Sequence, residues 1–323
     1  MNIIPLAILV TSASKKVPLV HAMQKAARKL NPNIKVIAGD SDENVLTRYV
    51  ADSFWHMPRT IDDEVDTLIE GCKVRGISII FPTRDGELLF WAKYQIRFLE
   101  KGINVIVSPS SSVEICFDKL VFAGFGAHNE LPFIPAGLNP EEVGDGPYVV
   151  KERYGAGSSK MGLSMDHKGA LQHAASMESP VYQPFVSGKE ISVDAWLNLT
   201  HQVKGLVLRT RDYVIGGESQ VTTTFRDQAI EKEMTKVLST LKLCGPVVLQ
   251  AFIDADKGIH IIECNTRIGG ASTASIAVGL DILYWSLLEK CGADLREYAF
   301  DRISDEVRQI RVTHDIHEYG SSF

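Results

Sequence analysis

An α/β domain with a parallel sheet, followed by an α+β domain in two lobes, is the architecture this sequence predicts. Three observations predict it. Strand and helix patterns alternate over the first hundred or so residues, and a turn-rich stretch, Pro109-Ser110-Ser111-Ser112, ends that alternation. After Gly188 the strands become long and consecutive, as in an α+β unit. A chain of 323 residues, at a prior of roughly 150 per domain, also suggests two domains.

LAILVT reads as a short buried strand and VPLVHAMQKAARKL as an amphipathic helix. IKVIAGD, ISIIFPT and INVIVS are further strands, with helices predicted at DDEVDTLIEGCKVRG and GELLFWAKYQIRFLEKG. Ligands of such sheets gather at the carboxyl ends of the strands. Those ends carry Thr11-Ser12-Ala13-Ser14, Asp40-Ser41-Asp42 and Thr83-Arg84-Asp85. The TSASKK turn lacks G-x-G-x-x-G and is no dinucleotide fingerprint; a strand-to-helix turn with a Ser cap is the simpler reading. Beyond Ser112 a helix containing Asp118 and Lys119 leads through NELPFIP to the strand of PYVVKERY, a Gly/Ser loop and YQPFV. EISVDAWLNL and QVKGLVLRTRDYVI are long strands, AIEKEMTKVLSTLKL is a helix, and the tail after Arg308 is one more short strand with a loose end.

Composition sets the class. Hydrophobic residues make up 45% and charged residues 23%, as in an ordinary soluble globular protein. A net charge of −6 argues against nucleic acid as a partner, which needs a basic surface. Cys72, Cys116, Cys244, Cys264 and Cys291 are far apart and include no CxxC pair, so a reducing cytoplasm is expected. The apolar run in MNIIPLAILVTSASKK is too short to span a membrane, and its charges follow it, so neither a membrane span nor a signal peptide is expected.

The most informative segment runs from Val247 to Gly270, VVLQAFIDADKGIHIIECNTRIGG. Two β-rich runs flank DADKG, a turn signal. A loop from Ala255 to Gly258 sets Gln250 opposite Glu263; a neighbouring register moves this by one position. Glu263 and Asn265, two apart on a strand, share a face. With Gln250 they offer a carboxylate and side-chain oxygens suited to a hard cation such as Mg²⁺. An edge hairpin with solvated polar residues is the alternative, and it leaves Glu263 among Ile261, Ile262 and Cys264 without purpose.

Upstream, Lys151 ends an apolar strand just before Gly155, Gly157, Ser158, Ser159 and Gly162, whose N–H groups and hydroxyls suit an anion. A simple connecting hairpin explains that loop equally well, and GAGSSKMG does not satisfy Walker A. Gln183 to Val186 can meet a flat base through backbone groups, and Glu190 can accept from ribose hydroxyls or be a solvated strand-start residue. His128, His201, His260 and His314 are scattered, and no nucleophilic triad is evident.

In this order, the Asp118-Lys119 helix, strand-Lys-Gly/Ser loop, Q-P-F-V-x-G-x-E, strand Gln and E-x-N-x-R-x-G-G resemble the ATP-grasp superfamily. More narrowly they are similar to carbamoyl-phosphate synthase large-subunit-like carboxylate–amine ligases, the group that also holds the pyrrolysine-pathway amino-acid ligase. The resemblance implies a pre-ATP-grasp domain over 1–112 and an ATP-grasp domain over 113–323, with a small lobe at about 113–184 and a large lobe at about 185–323. It implies that Lys119 and Lys151 contact adenine and the α- and β-phosphates, and that Gly155 to Gly162, with Gly157, Ser158 and Ser159, close over the phosphates. It implies Gln183, Phe185 and Val186 at adenine, Glu190 at ribose, and Gln250, Glu263 and Asn265 as metal ligands. It implies Arg267 near the γ-phosphate and the acyl phosphate. Gln183, where relatives often carry Glu, and the glycine-poor Ala156–Lys160 segment depart from the pattern.

The implied activity joins a carboxylate to an amine through an acyl phosphate, with ATP and Mg²⁺, or Mn²⁺ in its place, and small-molecule substrates. Catalysis would fall to Arg267, Lys151 and Arg209. Arg209 and Arg211, with the Gly216-Gly217-Glu218-Ser219 turn, are candidates for acceptor recognition, and Asp85 for closing the same cleft. Phosphorylation of a small acid such as carbamate or bicarbonate, and a non-catalytic ATP-binding module, are the rival readings. A homodimer is expected by analogy alone.

Overall fold

The computed structural model describes residues 7–155, 160–254 and 258–317. The first region forms a five-stranded parallel sheet from β1 (Ala7–Thr11), β2 (Lys35–Asp40), β3 (Ser53–His56), β4 (Ile77–Phe81) and β5 (Asn104–Val105). Its strand order is β3-β2-β1-β4-β5, so the chain reverses direction of growth between β1 and β4. Helices α1 (Val17–Leu30), α2 (Val65–Val74) and α3 (Asp85–Leu99) cover it. β1 is buried along its whole length, which a strand covered on both faces requires. The expected parallel sheet is therefore present. β3 comes from DSFWH, a segment whose polar ends conceal its single buried residue, Trp55.

Two short helices, α4 (Ser110–Phe117) and α5 (Lys119–His128), lead into a three-stranded antiparallel sheet. That sheet consists of β6 (Tyr148–Glu152), β7 (Gly162–Met165) and β8 (Pro180–Pro184), ordered β7-β6-β8, with α6 (His167–Ala174) against it. Its core is small: Tyr148, Val150, Ala170, Ala174 and Tyr182.

The remainder forms a larger antiparallel sheet from β9 (Lys189–Leu197), β10 (Val203–Thr210), β11 (Tyr213–Ile215), β12 (Glu218–Phe225), β13 (Gly245–Asp254) and β14 (Gly258–Asn265). α7 (Gln228–Thr240) packs beneath it; α8 (Thr273–Ala277) and α9 (Ile282–Lys290) follow, and β15 (Arg308–Ile310) pairs with β12. QVKGLVLRTRDYVI is thus two strands, β10 and β11, broken at Arg211-Asp212. Asp212 accepts from the Thr210 and Thr223 hydroxyls, which holds the corner.

Two packing facts position the site. One face of β9 and β13 (Ile191, Val193, Ala195; Val247, Leu249, Ala251) enters a core with α7, leaving the alternate residues on the opposite face. A second core joins the parallel sheet and α1 to Trp196 and α9, so the first region and the large sheet are packed together. The TSASKK turn carries no Ser cap: Lys16 occupies the N-cap of α1, and Ser14 N–H donates instead to Asp40.

Candidate active site

A cavity of about 870 Å³ opens where the three sheets meet. Its floor is the free face of the large sheet, and strand register explains which residues appear there. Arg209 on β10 pairs with Ser192 on β9, Ser192 with Gln250 on β13, and Gln250 with Glu263 on β14. One rung across four strands therefore carries Arg209, Ser192, Gln250 and Glu263. The next rung pairs Asp194, Val248 and Asn265.

The Gln250–Glu263 pairing is the expected one, reached by another route. The hairpin closes one residue tighter than anticipated, at Asp254 and Gly258, and a bulge at Gln250/Ala251 restores the pairing. The bulge inserts Ile262, so Ile262 and Glu263 both line the cavity while Ile261 and Cys264 enter the core. Asn265 donates its amide N–H to a Glu263 oxygen at 3.1 Å, leaving its carbonyl oxygen for other partners. Among the described residues no three His, Cys, Asp or Glu side chains form a cation site. One carboxylate with two amide oxygens is a poor cage for a bare ion. It fits Mg²⁺ that arrives with phosphate oxygens and water, because such ions usually keep a partly non-protein shell.

Opposite this floor stands the small sheet. Lys151 projects from β6 into the cavity, only 8% exposed, with no ion-pair partner among the described residues. Burial pushes its ammonium down to about 8, against the opposing pull of Glu263. A buried cation without a counter-ion is costly, and a phosphate would supply one. Lys119, the first residue of α5, donates to the Gly155 carbonyl at 2.9 Å, and burial lowers its pKa too. Its helix is anchored by Asp118, which accepts from Leu120 and Val121 N–H and forms a bidentate pair with Arg153 at 2.6 and 2.8 Å.

Between the two sheets lies an apolar slot lined by Ile134, Met161, Leu163, Phe185, Phe252 and Ile262. Gln183 is buried there and donates to the Ile134 carbonyl at 3.4 Å. Val186 and Glu190 also line the slot. Glu190 sits 2.9 Å from Arg211 Nε; burial raises its pKa, and Arg211 opposes that rise. Gly188 lets the chain cross β13 closely: a Cβ there would lie 2.7 Å from the Ile253 carbonyl oxygen.

The remaining expected residues divide clearly. Gly155 lines the cavity; Gly157, Ser158 and Ser159 lie outside the described residues. Arg267 links the end of the large sheet to the start of α3 through Asp85, at 2.5 and 3.1 Å, and reaches the Asn265 side-chain oxygen at 3.4 Å. Arg209 is buried and held at 2.7 Å by Asp194, which also accepts from Ser272 and Ser275 at 2.6 and 2.5 Å. Among the described residues its Nη1 has no hydrogen-bond partner, nor has the adjacent Ser192 hydroxyl or the Ser219 hydroxyl. Buried polar atoms are rarely left this way unless a ligand or water completes them.

Sequence reasoning gave no role to six contributors. Asp194, Ser272 and Ser275 hold Arg209, and Ser272 also accepts from Gly269 N–H, fixing the Arg-Ile-Gly-Gly exit. Only the polar Asp194 within an apolar strand hinted at this. Lys16, Arg84 and Arg311, from three separate segments, also line the cavity.

Comparison with known proteins bears on the fold and the family. Residues 8–106 match the family described as PylC-like, N-terminal domain, and residues 176–314 match ATP-grasp in the biosynthetic pathway with Ter operon. No curated protein matches the sequence. Among solved structures, the biotin carboxylase domain of Hydrogenobacter thermophilus 2-oxoglutarate carboxylase, in complex with MgADP, ADP and bicarbonate, is 16% identical with a TM-score of 0.75. That alignment covers 94% of this chain and 73% of the other. Staphylococcus aureus N5-carboxyaminoimidazole synthetase with ADP is 17% identical, covering 91% and 79%, TM-score 0.72. Bacillus licheniformis L-amino acid ligase is 18% identical, covering 88% and 74%, TM-score 0.66. These structural likenesses are likenesses of fold.

Proposed function

The chain belongs to the ATP-grasp superfamily, and from that premise we propose that it is an ATP-dependent ligase joining a carboxylate to an amine through an acyl phosphate. The observation that carries this reading is the facing pair of surfaces. Gln250, Glu263 and Asn265 present oxygens from one sheet, and Lys151, without an ion pair among the described residues, faces them from the other, with Lys119 beside it at the start of α5. The L-amino acid ligase among the structures of similar fold supports it.

Residues 1–112 would form the leading domain and 113–323 the grasping domain. Adenine occupies the apolar slot, meeting the Gln183–Val186 backbone, and Glu190 takes the ribose hydroxyls. Lys119 and Lys151 neutralise the α- and β-phosphates, and Gly155 with Gly157, Ser158 and Ser159 covers them. Gln250, Glu263 and Asn265 would hold Mg²⁺, or Mn²⁺ in its place, which would supply positive charge to offset that of the transferring phosphoryl group. Arg267, positioned by Asp85, stabilises the charge that develops on that group as the carboxylate oxygen attacks. Arg209 stands three strands, roughly 14 Å, from Glu263 at the usual strand spacing. Its unfilled N–H therefore serves the carboxylate substrate rather than the metal, alongside the Gly216–Ser219 turn. Attack by the amine then expels phosphate. A homodimer is part of the same reading, after the dimeric biotin carboxylase domain of similar fold.

The test is ADP release over a panel of carboxylates and amines with Mg²⁺. Release that requires one of each supports ligation. Release with an acid alone, unaffected by any amine, overturns ligation in favour of small-acid phosphorylation. Tight ATP binding with no release across the panel would mark a non-catalytic module.

A further inference from the structure

We propose that one substrate carries an anionic group, a carboxylate or phosphate beyond the carboxylate being activated, and that this group docks on Lys16 and Arg84 at the carboxyl ends of β1 and β4. The inference deepens the ligase reading and rests on it.

The location follows from topology. The order β3-β2-β1-β4-β5 places the reversal of sheet growth between β1 and β4, and open α/β sheets bind ligands in the crevice outside that point. Here the crevice opens into the main cavity: Lys16, Thr83, Arg84 and Asp85 line the same space as Glu263 and Arg209. It has no glycine-rich anion loop, so any recognition falls to side chains.

The charge follows from counting partners. Nine Lys or Arg side chains line the cavity against five Asp or Glu, in a chain of net charge −6. A nucleotide with its metal offsets part of that excess, on Lys119, Lys151 and Arg267. Most of the other cations are already matched: Arg209 by Asp194, Arg211 by Glu190, and Arg311 and Lys15 by Glu218. Lys16 and Arg84 are not. Lys16 donates only to neutral oxygens, the Ser12 carbonyl and the Thr83 carbonyl and hydroxyl, at 2.8 to 3.0 Å. Arg84 donates Nε–H to the Ser12 hydroxyl at 3.2 Å and meets no carboxylate among the described residues. Asp85 is taken by Arg267, and Glu87, buried below, is taken by Thr83 N–H, Arg84 N–H and the Trp91 indole. Burial pushes Lys16 down to about 8, although the Glu87 charge opposes this, so an anion placed there gains a cation that is poorly solvated.

Equilibrium binding to the full chain, with Mg²⁺ and a nonhydrolysable ATP analogue present, tests the proposal. The probes are glutamate against glutamine, for a carboxylate, and phosphoserine against serine, for a phosphate. At least one anionic probe should bind about tenfold tighter than its neutral counterpart, the size of one charge-assisted hydrogen bond. The exposed Arg84→Gln change should cut that preference to under about threefold and leave affinity for the analogue unchanged. Lys16→Met, in a folded variant, should do the same. Equal binding of charged and neutral probes, binding of neither, or a preference untouched by Arg84→Gln overturns the proposal and leaves the ligase reading standing. Loss of analogue affinity in Arg84→Gln also overturns it, because it assigns the arginine to the nucleotide. Failure of the wild-type chain to bind the analogue sinks the ligase reading itself.

Discussion

The two ends of the cavity are built on opposite plans. At the nucleotide end, three oxygen-bearing residues sit on one hairpin, within sixteen residues of chain, and their faces are fixed by strand alternation and a single bulge. At the substrate end, the charges come from the β1–α1 turn, the start of α3, β10 and the residue after β15. The first end is set by local register, the second by how three sheets pack. Disturbing a hairpin residue should therefore change chemistry or nucleotide affinity without unfolding, whereas the far end should respond through substrate selection.

The largest expected effect sharpens that division at its centre. Glu263 is half-buried, supplies the only carboxylate among the three proposed oxygen ligands, and makes no ion pair among the described residues. Glu263→Gln keeps shape and volume while removing the charge that holds the cation. We expect kcat to fall by about 10²- to 10³-fold, as when one preorganised electrostatic group is lost. The thermal midpoint should stay within about 3 °C of wild type, since no buried partner is orphaned. Turnover near the wild-type rate would remove Glu263 from the mechanism and dissolve the contrast between the two ends.

A second test uses pH. Lys151 is held down to about 8 by burial in the free protein, and a bound triphosphate favours its charged form. Above pH 8 nucleotide binding must therefore draw in a proton, and affinity should fall as pH rises through that value, by up to about tenfold per unit. Lys151→Met should flatten the profile and cost about tenfold to hundredfold in affinity at pH 7. The sign for stability is opposite. Between about 8 and the ordinary lysine value of 10.5, the unfolded chain binds more protons than the folded one at both Lys16 and Lys151. The nucleotide-free protein should accordingly gain stability across that window, before other groups intervene. Titration of a fluorescent nucleotide between pH 6.5 and 9.5 reads the first effect, and thermal melts read the second.

The same division explains what could be read without coordinates. The hairpin was legible because alternation forces Glu263 and Asn265 to one face and turn chemistry limits the register. The buried Lys151 was legible for a similar reason, as a charged residue closing an apolar strand before glycines. The break between β10 and β11 was not, because Arg211-Asp212 carries no Gly or Pro and the corner is held by the hydroxyls of Thr210, at the end of β10, and Thr223, on β12. Asp194 with Ser272 and Ser275 was hidden as well: its partners lie 78 and 81 residues away, and only packing of α8 under the sheet brings them together. Lys16 and Arg311 look like solvated surface charges in sequence, and nothing local distinguishes them from the other cations of the chain; Arg84 was marked only by its place at the carboxyl end of a strand.

The smallest effect tests the bulge, the feature that makes the hairpin more than an alternating pair. Regular pairing from the closure at Asp254 and Gly258 would set Ile262 opposite Gln250; the extra residue brings Glu263 there and leaves Ile262 as an apolar wall beside the proposed metal ligand. The hairpin thus delivers two kinds of contact from neighbouring positions, and they should separate in kinetics. Ile262→Ala removes apolar area from the adenine slot and leaves Glu263 in place. The expected loss is about 1 kcal/mol, or roughly fivefold in KM for ATP, with kcat nearly unchanged. Glu263→Gln should do the reverse, lowering kcat with a smaller change in KM. If Ile262→Ala depresses kcat as strongly as KM rises, the Ile262 side chain helps to aim the carboxylate as well as to wall the base, and the nucleotide end is less modular than its register suggests.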